Sequence, residues 1–246
     1  MADTQTIKLS MRFLSNIFNE TSINYLFDFF LPRLCSSCKI KLSPEEKIVC
    51  DECYSKLKIP NSSFLEEEYQ NKFSHPKIIE DFRAGLIFEE GSPTRNMIHS
   101  LKYEKKFGVG IYIGRIVGNV FSDDIKKWEA DFIIPVPLYA VKKADRGYNQ
   151  SEFIAKGISK ELNIPIKTRL LKRIRHTQTQ TKLNSLERRA NVQDAFKLRR
   201  ETEVKGKKII LVDDVVTTGS TVSECAKVLK QAGADKVFAL FAAIAN

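Results

Sequence analysis

Hydrophobic positions in the last two thirds of the chain follow two alternating rhythms. Short, nearly unbroken apolar runs read as buried strands: Ala84–Phe88, Phe132–Pro137, Ile166–Leu171, Ala195–Leu198, Ile209–Val212 and Lys236–Ala243. Between them, Met97–Tyr103, Ile111–Ser122, Gln150–Leu162 and Val222–Gln231 carry apolar residues at helical spacing. Gly157 weakens the third of these helices, and Gly233 stands where the last needs a C-cap. Alternating strands and helices predict an α/β domain with a mainly parallel sheet covered on both faces.

Upstream the rhythm changes. Phe13, Leu14, Ile17, Phe18, Ile23, Leu26, Phe27, Phe29 and Phe30 make an aromatic-rich, partly helix-periodic stretch, suited to packing or to docking a partner helix. Residues 60–80, with Pro60-Asn61-Ser62-Ser63, Glu66-Glu67-Glu68 and Ser74-His75-Pro76, read as a linker. The expected organisation is therefore an N-terminal module over 1–59, a linker over 60–80 and an α/β domain over 81–246. A chain of 246 residues, 43% hydrophobic, can bury a core of that size. No apolar run reaches membrane-spanning length, and the start of the chain lacks a signal-peptide pattern, so a cytoplasmic protein without membrane insertion is expected.

Charge sharpens the division. The net charge is +10. Residues 1–90 hold 11 Lys+Arg against 14 Asp+Glu, and the remainder 29 against 16. The basic part suits an anionic partner such as a pyrophosphorylated sugar or a nucleic acid; a solvated basic face is the alternative.

Cys35, Cys38, Cys50 and Cys53 follow the pattern C-x2-C-x11-C-x2-C. Two such knuckles can close a tetrahedral four-sulfur site that suits structural zinc and leaves no position for a reacting water. Disulfides are the rival pairing, disfavoured in a reducing compartment. Cys225, in the last helix, reads as a packed thiol.

The richest segment is Ile209-Ile210-Leu211-Val212-Asp213-Asp214-Val215-Val216-Thr217-Thr218-Gly219-Ser220-Thr221. A short strand delivers two carboxylates at its C-terminal end, where open α/β sheets bind ligands. A loop of small hydroxylated residues then opens into a helix whose first N–H groups suit a phosphate. Ionised carboxylates only accept hydrogen bonds and a diol donates two, so the whole describes a ribose-5-phosphate site. A second strand–loop–helix follows Pro137, with Lys142, Lys143 and Arg146 in the loop and Asn149 placed to cap the helix or to touch ligand. The longest polar connection runs from Lys172 to Asn191, of the kind that forms lids or binding loops, and residues 167–200 around it hold 11 Lys+Arg against 2 Asp+Glu; His176 within it reads as a surface residue or a base.

The segment around Asp213 and Asp214 resembles the 5-phosphoribosyl-1-pyrophosphate (PRPP) motif of type I phosphoribosyltransferases. Taken in order, the four-cysteine module, Leu101-Lys102-Tyr103, Pro135-Val136-Pro137…Arg146-Gly147-Tyr148-Asn149-Gln150, Arg175…Thr177…Gln180…Arg189…Asn191…Phe196 and the PRPP motif are similar to the ComF family of bacterial competence-associated proteins. The resemblance implies a type I phosphoribosyltransferase fold (Rossmann-like, three layers, α/β/α) behind a zinc finger. It implies PRPP contacts from Lys102, Arg146, Gly147, Asn149, Arg189 and Val215 to Thr221, with Asp213, Asp214, Arg146 and Arg175 serving any transfer chemistry. It further implies magnesium with PRPP, a role with single-stranded DNA in natural competence, and competence proteins such as a helicase as partners. An active transferase acting on a nucleobase or related amine is the alternative to an accessory that only binds PRPP.

Overall fold

The computed structural model describes residues 32–175 and 192–245. The chain divides into two compact units, Met1–Ser55 and Lys56–Asn246. In the first, an antiparallel bridge between Leu34 and Lys41 closes a tight turn that holds Cys35 and Cys38. The turn is tied by Cys35 N–H to the Ile40 carbonyl (2.8 Å) and Lys39 N–H to the Cys35 carbonyl (3.0 Å). Cys50 lies just before helix α1 (Asp51–Ser55), and Cys53 lies within it. Glu46 ties the loop between the two cysteine pairs, its carboxylate accepting from Ser43 N–H (2.6 Å) and Asp51 N–H (2.7 Å).

The second unit runs α2 (Ser62–Phe73), β1 (Phe82–Phe88), α3 (Pro93–Tyr103), α4 (Phe107–Val120), α5 (Ser122–Lys127), β2 (Phe132–Pro135), α6 (Ala140–Arg146), α7 (Gln150–Leu162), β3 (Leu171–Arg173), β4 (Phe196–Leu198), β5 (Lys208–Val216), α8 (Ser220–Gln231) and β6 (Lys236–Ala245). Four strands make a fully parallel sheet in the order β1-β6-β5-β2. One face packs against α8 and α2, where Val222, Cys225, Ala226, Leu229 and Phe73 join Ala84, Ile209, Leu211 and Phe241 in a common core. The other face is covered by α3, α4 and α7. This is the covered parallel sheet that strand–helix alternation predicts.

Particular elements depart from the reading of the sequence. Residues 60–80 hold a helix rather than only a connection. Asn61 caps it by accepting from Phe64 N–H at 2.8 Å, and Leu65 and Phe73 are its buried anchors. The polar run between these anchors is the solvated face of that helix. The predicted strands over 166–171 and 195–198 do not join the main sheet as strands. Ile166 makes one bridge to Ile133, while β3 and β4 pair antiparallel as a separate hairpin. Strand β5 runs four residues past the apolar quartet, because β6 offers a partner as far as Val216↔Ile244. Backbone pairing there outweighs the low strand preference of aspartate.

Helices α4 and α7 meet with unusual closeness. A Cβ added at Gly157 would lie 2.2 Å from the Ile111 carbonyl oxygen, and one at Gly114 would lie 2.1 Å from that of Ile154. Gly157, which weakens the helix reading, is required by this contact. The approach fixes the height of α7, whose first residues enter the site described next.

Candidate functional site

Strand β5 carries Asp213 and Asp214 to the carboxyl edge of the sheet, and a loop to Gly219 leads into α8. Gly219 takes φ +72° and abuts α2: a Cβ there would stand 2.5 Å from Phe73 Cε1. Only glycine meets both conditions without displacing the loop. Thr218 Oγ1 and Ser220 Oγ share a hydrogen bond of 2.7 Å beside the helix N-terminus. The result is a short hydroxyl- and N–H-rich cradle, of the type that receives a phosphate.

The two carboxylates are held differently. Asp213 Oδ1 accepts from Ser151 Oγ (3.0 Å) and from Asp214 N–H (2.8 Å). Asp214 accepts from Gln150 Nε2 (2.6 Å) and Val215 N–H (2.6 Å), and forms an ion pair with Lys102 Nζ at 3.0 Å. Burial, and after it the charge of Asp214, pushes the carboxyl of Asp213 up to about 7. Burial acts on Asp214 in the same sense, but Lys102 and the Gln150 amide outweigh it and hold that carboxyl below its ordinary value. Two adjacent acids are thus driven apart by their partners, one kept ionised and the other ready to carry a proton.

A cleft of about 350 Å³ opens over this pair. Four cations line it: Lys102 from α3, Lys142 and Arg146 from α6, and Arg173 from β3. Burial lowers the pKa of Lys142, and the neighbouring Arg173, Arg146 and Lys102 lower it further. Burial likewise lowers that of Arg173. Four positive groups facing two carboxylates leave a surplus that polyanionic oxygen would satisfy. Arg146 is braced on two sides, donating to Gln150 Oε1 at 2.7 Å and lying 5.4 Å from the ring centre of Tyr103.

Asp213 to Thr221, Lys102 and Arg146 therefore come together around one cleft. The other residues singled out in the sequence lie elsewhere. Gly147 is the left-handed C-cap of α6, at φ +80°. Asn149 is buried and caps α7, accepting from Ser151 N–H (3.2 Å) and donating to the Val136 carbonyl (2.9 Å). Arg175 is exposed and donates to the Gln193 carbonyl at 2.6 Å. Arg189 and His176 fall outside the described residues. Lys142, one of the three cations that the sequence places in the loop after Pro137, lines the cleft with Arg146. Gln150, Ser151, Arg173 and Tyr103 are not distinguished as site residues by sequence; Arg173 comes from β3, outside the main sheet.

In the first unit the four sulfurs of Cys35, Cys38, Cys50 and Cys53 all lie within 4.8 Å of one another. Those of Cys38 and Cys50 are 3.6 Å apart, too far for a disulfide bond. Zinc–sulfur bonds of about 2.3 Å in a tetrahedron place sulfurs about 3.8 Å apart, so the cluster could hold a metal ion of this kind. Burial opposes ionisation of Cys35, but N–H groups of Cys38, Cys50 and Ser37 donate to its sulfur and bring the thiol down to about 6. Burial, with the nearby thiols, pushes Cys53 up to about 12. A cation would relieve this crowding by deprotonating all four. No helix among the described residues is long and apolar enough to cross a membrane.

Residues 148–243 match the phosphoribosyl transferase domain family. Competence protein F of Haemophilus influenzae is 30% identical over 227 residues, covering 86% of this chain and 96% of that protein. DNA utilization protein YhgH of Escherichia coli O157:H7 is 34% identical over 158 residues, 63% of this chain and 69% of its own length. Among solved structures, glutamine PRPP amidotransferase from B. subtilis, complexed with ADP and GMP, superposes with a TM-score of 0.37 at 22% identity, over 54% of this chain and 26% of that one.

Proposed function

The chain belongs to the ComF family of competence-associated, phosphoribosyltransferase-like proteins, and from that premise we propose that its cleft binds PRPP and that the protein serves the handling of single-stranded DNA. The observation that carries the first half is the juxtaposition, around one cleft, of Asp213 and Asp214, the Thr217–Thr221 cradle and the cations Lys102, Lys142, Arg146 and Arg173. The cradle receives the 5-phosphate. The carboxylates accept from the two ribose hydroxyls. The cations face the pyrophosphate at C1. Lys102 must then divide its charge between Asp214 and the incoming phosphates.

A divalent ion fits this site only together with its ligand. A cleft with more cations than carboxylates repels a bare divalent ion, whereas pyrophosphate brings the oxygen donors that magnesium requires. Bound in that way, magnesium would neutralise charge on the leaving pyrophosphate, with Asp213 and Asp214 the available protein oxygens. In the first unit, Cys35, Cys38, Cys50 and Cys53 are proposed to hold structural zinc, since four thiolates close its shell.

The DNA half is supported by the surplus of Lys and Arg after residue 90 and by the competence and DNA-utilization names of the relatives. Phosphate neutralisation by such residues is the main source of non-specific affinity. A second reading, active transfer, is favoured by the intact acid pair beside the cation cluster. In it a nitrogen nucleophile forms a bond to C1 as the bond from C1 to the pyrophosphate oxygen breaks. Arg146 and Lys102 stabilise charge growing on the leaving group, while the carboxylates keep the sugar oriented.

Calorimetric titration of PRPP in the presence of magnesium tests the core of the proposal. Saturable binding, lost in Asp213→Ala with Asp214→Ala while the fold persists, is the expected result, and no binding to the unaltered protein would refute it. Steady release of pyrophosphate from PRPP with a nucleobase present would replace the accessory reading with the transferase reading.

A further inference from the structure

Gln150 stands between the two halves of the cleft. It is 4% exposed, at the first turn of α7. Its Oε1 accepts from Arg146 at 2.7 Å and its Nε2 donates to Asp214 at 2.6 Å. Arg146 can only donate and Asp214, held ionised, can only accept, so the orientation of the amide is fixed by its neighbours. The glutamine amide offers both functions from one planar group without a charge and without titrating.

The position matters because the groups joined here face different parts of the proposed ligand. Arg146 faces the pyrophosphate and Asp214 faces the ribose hydroxyls. Lys102 also contacts Asp214, but on a long side chain 23% exposed to the cleft, and arriving phosphate oxygens compete for it. The buried amide is not drawn away in that manner.

We propose that Gln150 is a positioning residue that locks the Arg146 guanidinium and the Asp214 carboxylate into one register, so that the pyrophosphate and the diol of a single ligand are gripped together. This rests on the PRPP reading of the cleft and adds to it a coupling between its two ends. The height of Gln150 is in turn set by the close approach of α7 to α4.

The chemistry of the bridge supplies its own test. Gln150→Leu keeps volume but removes both hydrogen bonds. Gln150→Glu keeps the acceptor for Arg146 but can donate to Asp214 only while protonated. The ionisable groups around it are Arg146 and Lys142 on α6, Lys102 on α3, Asp213 and Asp214 on β5, and Arg173 on β3. Two carboxylates as close as the present contact resist ionising together.

PRPP affinity with magnesium is measured for wild type, both variants and Arg146→Ala from pH 5.5 to 8.5, each as a ratio to wild type at the same pH. Gln150→Leu is expected to bind at least about tenfold more weakly at every pH, the scale of a single lost hydrogen bond to a charged group. Gln150→Glu should approach wild type at the acid end and fall away as pH rises. Arg146→Ala should cost less in the Gln150→Leu background than alone. Wild-type affinity in both Gln150 variants across the range would overturn the inference, as would equal, pH-independent losses in both with additive effects of Arg146→Ala. Failure of the wild type to bind PRPP would instead refute the reading of the cleft itself.

Discussion

Replacing Gly157 with alanine tests whether the contact between α4 and α7 governs both stability and the site. The new Cβ would stand 2.2 Å from the Ile111 carbonyl oxygen, 2.8 Å from Arg115 N and 2.9 Å from Gly114 C. All three are backbone atoms of α4, so no side-chain rotation relieves the clash. Reaching even a tight 3.0 Å contact requires the helices to part by roughly 0.8 Å, a strain that in packed cores typically costs about 1–3 kcal/mol. Alanine in a helix interior returns up to about 1 kcal/mol over glycine, so a net loss of about 1 kcal/mol is expected. A loss of about 1 kcal/mol lowers the midpoint of thermal unfolding by roughly 2–4 °C in a unit of this size. Because α7 begins with Gln150 and Ser151, which hold Asp214 and Asp213, the displacement should weaken PRPP binding as well. Thermal unfolding and PRPP titration of Gly157→Ala, beside the exposed control Lys160→Ala, measure both effects. Unchanged or raised stability in Gly157→Ala would refute the packing argument. Lost stability with undiminished affinity would refute the link from packing to the site.

Four further outcomes are expected. Asp213 holds its proton up to about pH 7 in the folded chain against an ordinary value of 3.8, so between those values folding takes up a proton and stability falls as pH rises; Asp213→Asn should flatten that segment of a stability–pH curve. Cys35→Ser should lose bound zinc and loosen the first unit, as read by metal analysis and by proteolysis of residues 32–55; folded wild-type protein without metal would contradict the assignment. Short single-stranded DNA should bind with affinity that falls steeply with salt, and binding indifferent to salt would count against phosphate contacts. Arg173→Ala should weaken PRPP binding several-fold while sparing ribose 5-phosphate, since the proposed function assigns the cations lining the cleft to the pyrophosphate; equal losses for both would move Arg173 to another role.

The legible parts of this protein are those in which neighbours in sequence are also neighbours in space. Asp213 to Thr221 act as one contiguous strand, loop and helix start, and the two cysteine pairs sit within nineteen residues. Both could be recognised from residue type and order alone. Gln150 and Arg173 could not, because nothing in their local sequence shows that α7 packs beside β5 or that β3, outside the main sheet, lines the same cleft. Gly157 carried a signal that pointed the wrong way: helix propensity marks it as a weakness, while its value lies wholly in another helix 46 residues upstream. In α2, Asn61 and the charged run after it resemble a linker because only Leu65 and Phe73 reveal the buried side.

The order β1-β6-β5-β2 places residues 236–245 between strands whose sequences lie well before them. On the ribosome, β1 and β5 therefore emerge with no strand between them, and they wait for residues 236–245 to clear the exit tunnel. Until then the nascent chain displays two apolar strand edges at once. A frameshift or stop codon before position 236 would consequently leave not a shortened enzyme-like domain but an unsealed one, fit for chaperones and proteases rather than for any sugar phosphate.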